Sequence, residues 1–259
     1  MPAKPSQPVA PREVWRAGGL RLTVLRTPTS EATPTDWWAK IVGVEPESRT
    51  SKPKAGELLE QGSFAEGSLV LATRPERIDW QYVATRKEDA IIGFPDVGPL
   101  RVAADAFVPP MMKWLEVCPP ASRLAFGASL FLSVGGREEG YAKLAEYLHS
   151  VKMDPKGSSD FTYQINRSRN SKVVEGLSVN RLSRWDVASS GRVQIQVTPT
   201  AQMKMTAQSL PGMEFAIHAE LDINTAAEFA GDLPPGNLRA ILDELVGFAI
   251  EISEQGDVA

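Results

Sequence analysis

Apolar residues alternate with polar ones at several places along this chain and recur every three to four residues at others, a pattern that predicts both strands and helices. Leu20, Leu22 and Val24, separated by Arg21 and Thr23, predict a half-buried strand over 20–26 that Pro28 ends. After the cap-type run Thr33-Pro34-Thr35-Asp36, the spacing of Trp38, Ile41 and Val42 predicts a short helix. Residues 43–67 are polar and carry Pro46 and Pro53, so they read as a loop with one helical turn near 57–60. The runs 69–73 and 78–84 flank Arg74-Pro75-Glu76-Arg77 and read as a hairpin with proline at the second turn position. A strand-like Leu100-Arg101-Val102-Ala103 follows, then Pro109-Pro110 and Pro119-Pro120, which mark a connection.

Beyond that connection, residues 122–134 are rich in strand formers and stop at Gly135-Gly136. Tyr141, Leu144, Ala145, Leu148 and Val151 lie at the spacing of an amphipathic helix over 138–151. Strand-like runs cover 161–167, 177–187, 192–198 and 214–223, with 203–211 reading as a loop before the last of them. Leu238, Ile241, Leu242, Leu245, Phe248, Ala249 and Ile252 form one apolar stripe of a final helix that opens at Pro234-Pro235.

These elements predict an α+β fold, an antiparallel sheet with helices packed on one face, arranged as two similar halves. The organisation read from the chain is a flexible proline-rich tail at 1–12, one half at 13–108 and another at 121–259, with a single fused domain as the alternative. Arg77-Ile78-Asp79-Trp80 and Arg181-Leu182-Ser183-Arg184-Trp185 carry the suggestion of a duplication.

Composition adds little to fold but excludes several classes. Of 259 residues, 42% are hydrophobic, 23% charged and 7% aromatic, which is an ordinary globular balance. The longest apolar run, 124–134, is interrupted by Gly127, Ser129 and Ser133, so no membrane span is expected. A single cysteine, Cys118, and no apolar leader at the start point to a reducing, cytoplasmic setting.

Charge is segregated. Between residues 161 and 192, six basic residues stand against two acidic ones, a local balance of +4; from 193 onward two basic residues face ten acidic ones, a balance of −8. Arg167, Arg169, Lys172, Arg181 and Arg184, with Trp185 among them, mix cations with an aromatic in the way that single-stranded nucleic acid or another partner would use. The competing reading is internal, the basic segment neutralising the acidic one after it, either across neighbouring strands or against the acidic last helix.

No catalytic signature is present: no phosphate loop, no His-Glu-x-x-His, no Gly-x-Ser-x-Gly and no Cys-x-x-Cys. With two histidines in the chain, the most chemically suggestive group is His218, Glu220 and Asp222, which alternation on a strand would place on one face as three candidate metal ligands. Alternation of a half-exposed strand explains the same pattern without a metal. Glu146 and His149 have the i, i+3 spacing of a carboxylate-histidine pair on a helix, though without a second copy. Of the six tryptophans, the adjacent Trp37 and Trp38 cannot both face one way on a short helix, which offers one of them as a protein-interface anchor against the ordinary alternative of core.

The expectation that follows is a non-enzymatic protein-binding subunit or adaptor of a larger assembly, with no cofactor and with protein partners or self-association. Two alternatives stand beside it: a nucleic-acid-binding accessory protein using the strands of 161–192, and a metal-dependent hydrolase around His218.

Overall fold

The computed structural model describes residues 14–27, 36–85, 93–191 and 213–258. The expected tail at 1–12, the strand at 192–198 and the loop at 203–211 lie outside these residues. The first half runs β1 (Arg16–Leu25), α1 (Trp37–Val42), β2 (Ser48–Lys52), β3 (Glu57–Phe64), β4 (Gly67–Arg74), β5 (Arg77–Val83) and α2 (Leu100–Leu115). The second runs β6 (Arg123–Val134), α3 (Arg137–Tyr147), β7 (Thr162–Asn166), β8 (Arg169–Asn170), β9 (Ser178–Ser190), β10 (Glu214–Thr225) and α4 (Leu238–Gln255). Among the described residues the fold is α+β, a ten-stranded sheet with four α-helices.

Every pairing in the sheet is antiparallel, in the order β2-β3-β4-β5-β1-β6-β10-β9-β7, with β8 also against β9. Each half therefore has the same plan. An opening strand leads to a helix, the meander that follows returns its last strand beside the opening strand, and a long helix ends the half. The opening strands β1 and β6 pair with each other, Leu22 opposite Phe126, so one continuous sheet runs through both halves. In this plan β5 corresponds to β10, not to β9; the resemblance of Arg77–Trp80 to Arg181–Trp185 therefore joins strands that are not topological counterparts.

Strand alternation sends one set of side chains beneath the helices. Leu20, Leu22, Val24, Trp80, Tyr82, Leu124, Phe126, Leu130, Leu221 and Ile223 are all buried on that face. Trp38 of α1 stacks on Trp80, Phe107 of α2 on Tyr82, Gly140 of α3 lies against Val187, and Phe248 of α4 against Arg181, so all four helices cover the same side. No helix among the described residues is long and apolar enough to cross a membrane.

Three expectations from the sequence need correction. Residues 48–52 and 57–64 are strands, not loop and helical turn, because β3 is held by its pairing with β4 and β2 by β3, partners that local pattern does not reveal. Leu100–Ala103 opens a helix rather than forming a strand, and that helix continues through Pro109 and Pro110 to Leu115. The prolines remove two backbone N–H donors. Burial of Leu100, Ala103, Ala104, Phe107, Met111 and Trp114 on one stripe outweighs that loss. The third concerns Trp37 and Trp38, which both point inward. A six-residue helix wedged between α2 and the sheet has core on two sides, Trp114 against Trp37 and Trp80 against Trp38, so neither indole is an exposed anchor.

Candidate functional site

The sheet face opposite the helices carries a polar array that crosses five strands. Gln81, Arg21, Gly127, Asp222 and Leu182 form one cross-strand row through β5, β1, β6, β10 and β9. Gly19, Ser129, Glu220, Arg184 and Gln164 form the next, and Phe131, His218, Asp186 and Thr162 a third. Cross-strand neighbours on one face stand about 5 Å apart at Cβ, close enough for each row to act as a unit.

Gly127 has a packing reason in this array. The Arg21 guanidinium lies over its Cα, where a Cβ would come within 3.2 Å of Nη2, on its way to Asp222 with Nη2 3.8 Å from Oδ1. One row over, Thr23 donates its hydroxyl to Asp79 at 2.6 Å while Arg77 grips the same carboxylate through Nε at 2.6 Å and Nη2 at 2.9 Å. Three donated hydrogen bonds satisfy a carboxylate that is otherwise buried. A further ladder joins Asn166, Asn180 and Asn224 side chain to side chain, with Arg123 donating to Asn224 at 2.8 Å.

His218 lies at the centre of the densest part. Its Nδ1 is 3.3 Å from Asp186 Oδ2, its Nε2 is 3.2 Å from Ser129 Oγ and 3.7 Å from Glu220 Oε2, and its ring stacks on Phe131 with centroids 5.0 Å apart. Partial burial alone would lower its pKa, but the hydrogen bonds and charges of Asp186 and Glu220 outweigh this and push it up to about 9. The imidazole is therefore cationic at neutral pH, donating from Nδ1 to Asp186 and from Nε2 toward Ser129 and Glu220.

Ser129, His218 and Asp186 have the connectivity of a nucleophile, base and orienting acid. Such chemistry needs a neutral imidazole that accepts the serine proton, whereas here the ring is charged and a second carboxylate competes for Nε2. Ser129 is also in mid-strand, paired on both sides by β1 and β10. The arrangement holds the imidazole between the Asp186 and Glu220 carboxylates on the sheet face opposite the helices.

Of the three candidate metal ligands, His218 and Glu220 are neighbours but Asp222 is turned to Arg21. Among the described residues no three His, Cys, Asp or Glu side chains gather as a metal site. Glu146 pairs with Lys143 at 2.8 Å, and α3 ends at Tyr147, so His149 is not on the helix.

The basic candidates divide by strand parity. Arg181 and Trp185 face inward on β9 and are buried, while Arg184 between them is exposed on the helix-free face. Arg167 pairs with Asp257, and Arg169 and Arg181 reach Glu251 of α4 at 2.8 and 3.4 Å, both guanidinium groups also lying over the Phe248 ring. Exposed Lys172 gives its backbone N–H to Glu244 at 2.7 Å. Trp185 donates from Nε1 to Ser183 and stacks on Tyr147.

Sequence reasoning missed Ser129, Asp186 and Asp257 as members of these groups. Ser129 and Asp186 meet His218 only through the β6-β10-β9 register, which no local motif announces. Comparison of the chain with known protein families, with curated proteins and with solved structures finds no match in any of the three.

Proposed function

We propose that this chain is a non-enzymatic protein-binding subunit whose contact surface is the helix-free face of its sheet, working in a reducing compartment as its single cysteine allows. The observation that carries the reading is the half-exposed array of Arg21 on β1, Asp222, Glu220 and His218 on β10, and Asp186 and Arg184 on β9. Each cation in it faces an anion, Arg21 with Asp222, Arg184 with Glu220 and His218 with Asp186, which suits a polar protein surface of mixed charge; a polyanion would be repelled by half of these groups. The nucleic-acid reading has less support, since Arg167, Arg169 and Arg181 are already engaged with carboxylates of α4 and the segment after it. The hydrolase reading has less support for the reasons of charge and geometry at His218.

The test is affinity capture of the tagged chain from its native extract, with and without nuclease, alongside the Arg184→Glu and Lys172→Ala variants. The reading expects a stoichiometric protein partner that survives nuclease, is lost with Arg184→Glu and is retained with Lys172→Ala. Bound material that disappears with nuclease would transfer the function to nucleic acid. A partner indifferent to Arg184→Glu would remove the helix-free face as the contact surface.

A further inference from the structure

A second site, separate from the helix-free face, is formed where the chain leaves α4. Its walls are Tyr163 of β7, Arg167 after it, the carbonyl of Tyr147 at the end of α3, Ser150 beyond it, and Arg181 of β9. The residues inside it are the chain's own Gly256, Asp257 and Val258.

The contacts read a peptide, not a lone charge. Arg167 holds the Asp257 carboxylate with both Nε and Nη2, the latter at 2.9 Å, and Tyr163 donates its hydroxyl to Oδ2 at 2.7 Å. The backbone N–H of Asp257 donates to the Tyr147 carbonyl at 2.9 Å, and the Val258 carbonyl accepts from Arg181 Nη1 at 3.2 Å. Side chain, preceding amide and following carbonyl of one residue pair are thus each recognised. The Asp257 side chain is 2% exposed. These donors hold its carboxyl below the usual range, the Arg167 bond foremost.

Entry to the site selects a glycine. Gly256 has φ of +75°, a left-handed value that L side chains rarely adopt, and a Cβ there would overlap the Tyr147 carbonyl. Arg181, whose side chain is 1% exposed, bonds the Val258 carbonyl and Glu251 through its Nη atoms, while its Nε has no hydrogen-bond partner among the described residues.

We infer that this pocket is a binding site for an acidic Gly-Asp-apolar peptide segment of a protein partner, and that residues 256–258 occupy it as a tethered internal competitor. The last apolar residue of the α4 stripe is Ile252, so the segment hinges at Gly256 and can leave without withdrawing the helix from the core. Tethering gives the internal segment a millimolar-range effective concentration, so an outside peptide binds weakly until that segment is released.

The test uses the full chain and a fluorescent, amide-capped peptide with the sequence Glu-Gln-Gly-Asp-Val, followed by anisotropy. Asp257→Ala empties the carboxylate position, and Gly256→Ala ejects the segment by backbone overlap; near-UV circular dichroism reports whether each variant keeps its packing. Both variants are expected to bind the peptide about tenfold or more tighter than the unaltered chain. That binding is expected to vanish in Asp257→Ala/Arg167→Ala and for the Gly-Asn-Val peptide. A folded variant that ignores the peptide at millimolar concentration overturns the inference, and so does loss of fold in both variants, since residues 256–258 would then be structural alone. Failure here leaves the helix-free face untouched, because that surface is tested through Arg184.

Discussion

His218 and Asp186 face each other directly across β10 and β9, with the imidazole Nδ1 3.3 Å from the carboxylate Oδ2. The pair, with Glu220, raises the histidine from an ordinary 6.5 to about 9. Because the folded-state value is raised, the contribution is complete below about pH 6.5 and is lost as pH rises through 9. Chemical denaturation at pH 6 and pH 10 is expected to show a loss of order 1–3 kcal/mol at the higher pH, discounted for the exposure of Glu220. In His218→Ala that portion of the pH dependence should disappear; an unchanged slope between pH 7 and 10 would contradict the assigned ion pair.

The same charge state decides the behaviour of Ser129. A fluorophosphonate probe is expected not to label the chain at pH 7.5, since His218 is already protonated there and cannot take the hydroxyl proton. Stoichiometric labelling mapped to Ser129 by mass spectrometry would show that the histidine is neutral and that the triad connectivity is catalytic.

Asp257 and Gly256 act on one docking event and should not be additive. Asp257→Asn is expected to cost about 2–3 kcal/mol, since Arg167 and Tyr163 lose a charged acceptor while Arg181 stays buried. Gly256→Ala should cost a similar amount, and the double variant scarcely more than either alone. Urea unfolding of the four chains measures the coupling; full additivity would separate the two residues. With the Asp257 carboxyl lowered, its contribution is present above its unfolded value and falls away as acid carries the pH through the folded one.

Trp80 is fully buried between Trp38, which stacks on it at 6.1 Å, and Trp114, which meets it edge-on at 5.9 Å. Trp80→Ala is expected to cost about 3–5 kcal/mol by opening a cavity beneath α1 and α2. Thermal unfolding followed by tryptophan fluorescence checks this, and a cost under 1 kcal/mol would mean that the cluster does not bear on the first half.

Cys118 donates from Sγ to the Leu115 carbonyl at 3.5 Å, and burial pushes its thiol up to about 11. At pH 7.5 the native chain should react with an aromatic disulfide reagent far more slowly than the unfolded chain, which should give one thiol. Rapid native labelling would show a lowered pKa instead.

Much of this architecture was legible before the structure. The apolar stripe of α4, the hairpin of β4 and β5, and the alternation of Ile217, Ala219, Leu221 and Ile223 against His218, Glu220 and Asp222 all follow from local periodicity, which burial enforces residue by residue. The segregation of charge was equally visible, and one end of it is realised in the contacts of Arg167, Arg169 and Arg181 with Asp257 and Glu251.

Other features were decided only by tertiary structure. The polar stretches of β2 and β3 become strands because each pairs with the next strand in a meander whose β4 is anchored on β5 in the sheet, and α2 survives two internal prolines because its apolar stripe is buried. The meeting of Ser129, His218 and Asp186 depends on the relative register of three strands, a quantity set by long-range pairing and invisible to any spacing along the chain. Periodicity tells each residue which face it takes. Which residues share that face across neighbouring strands is fixed by the order and register in which the strands come together.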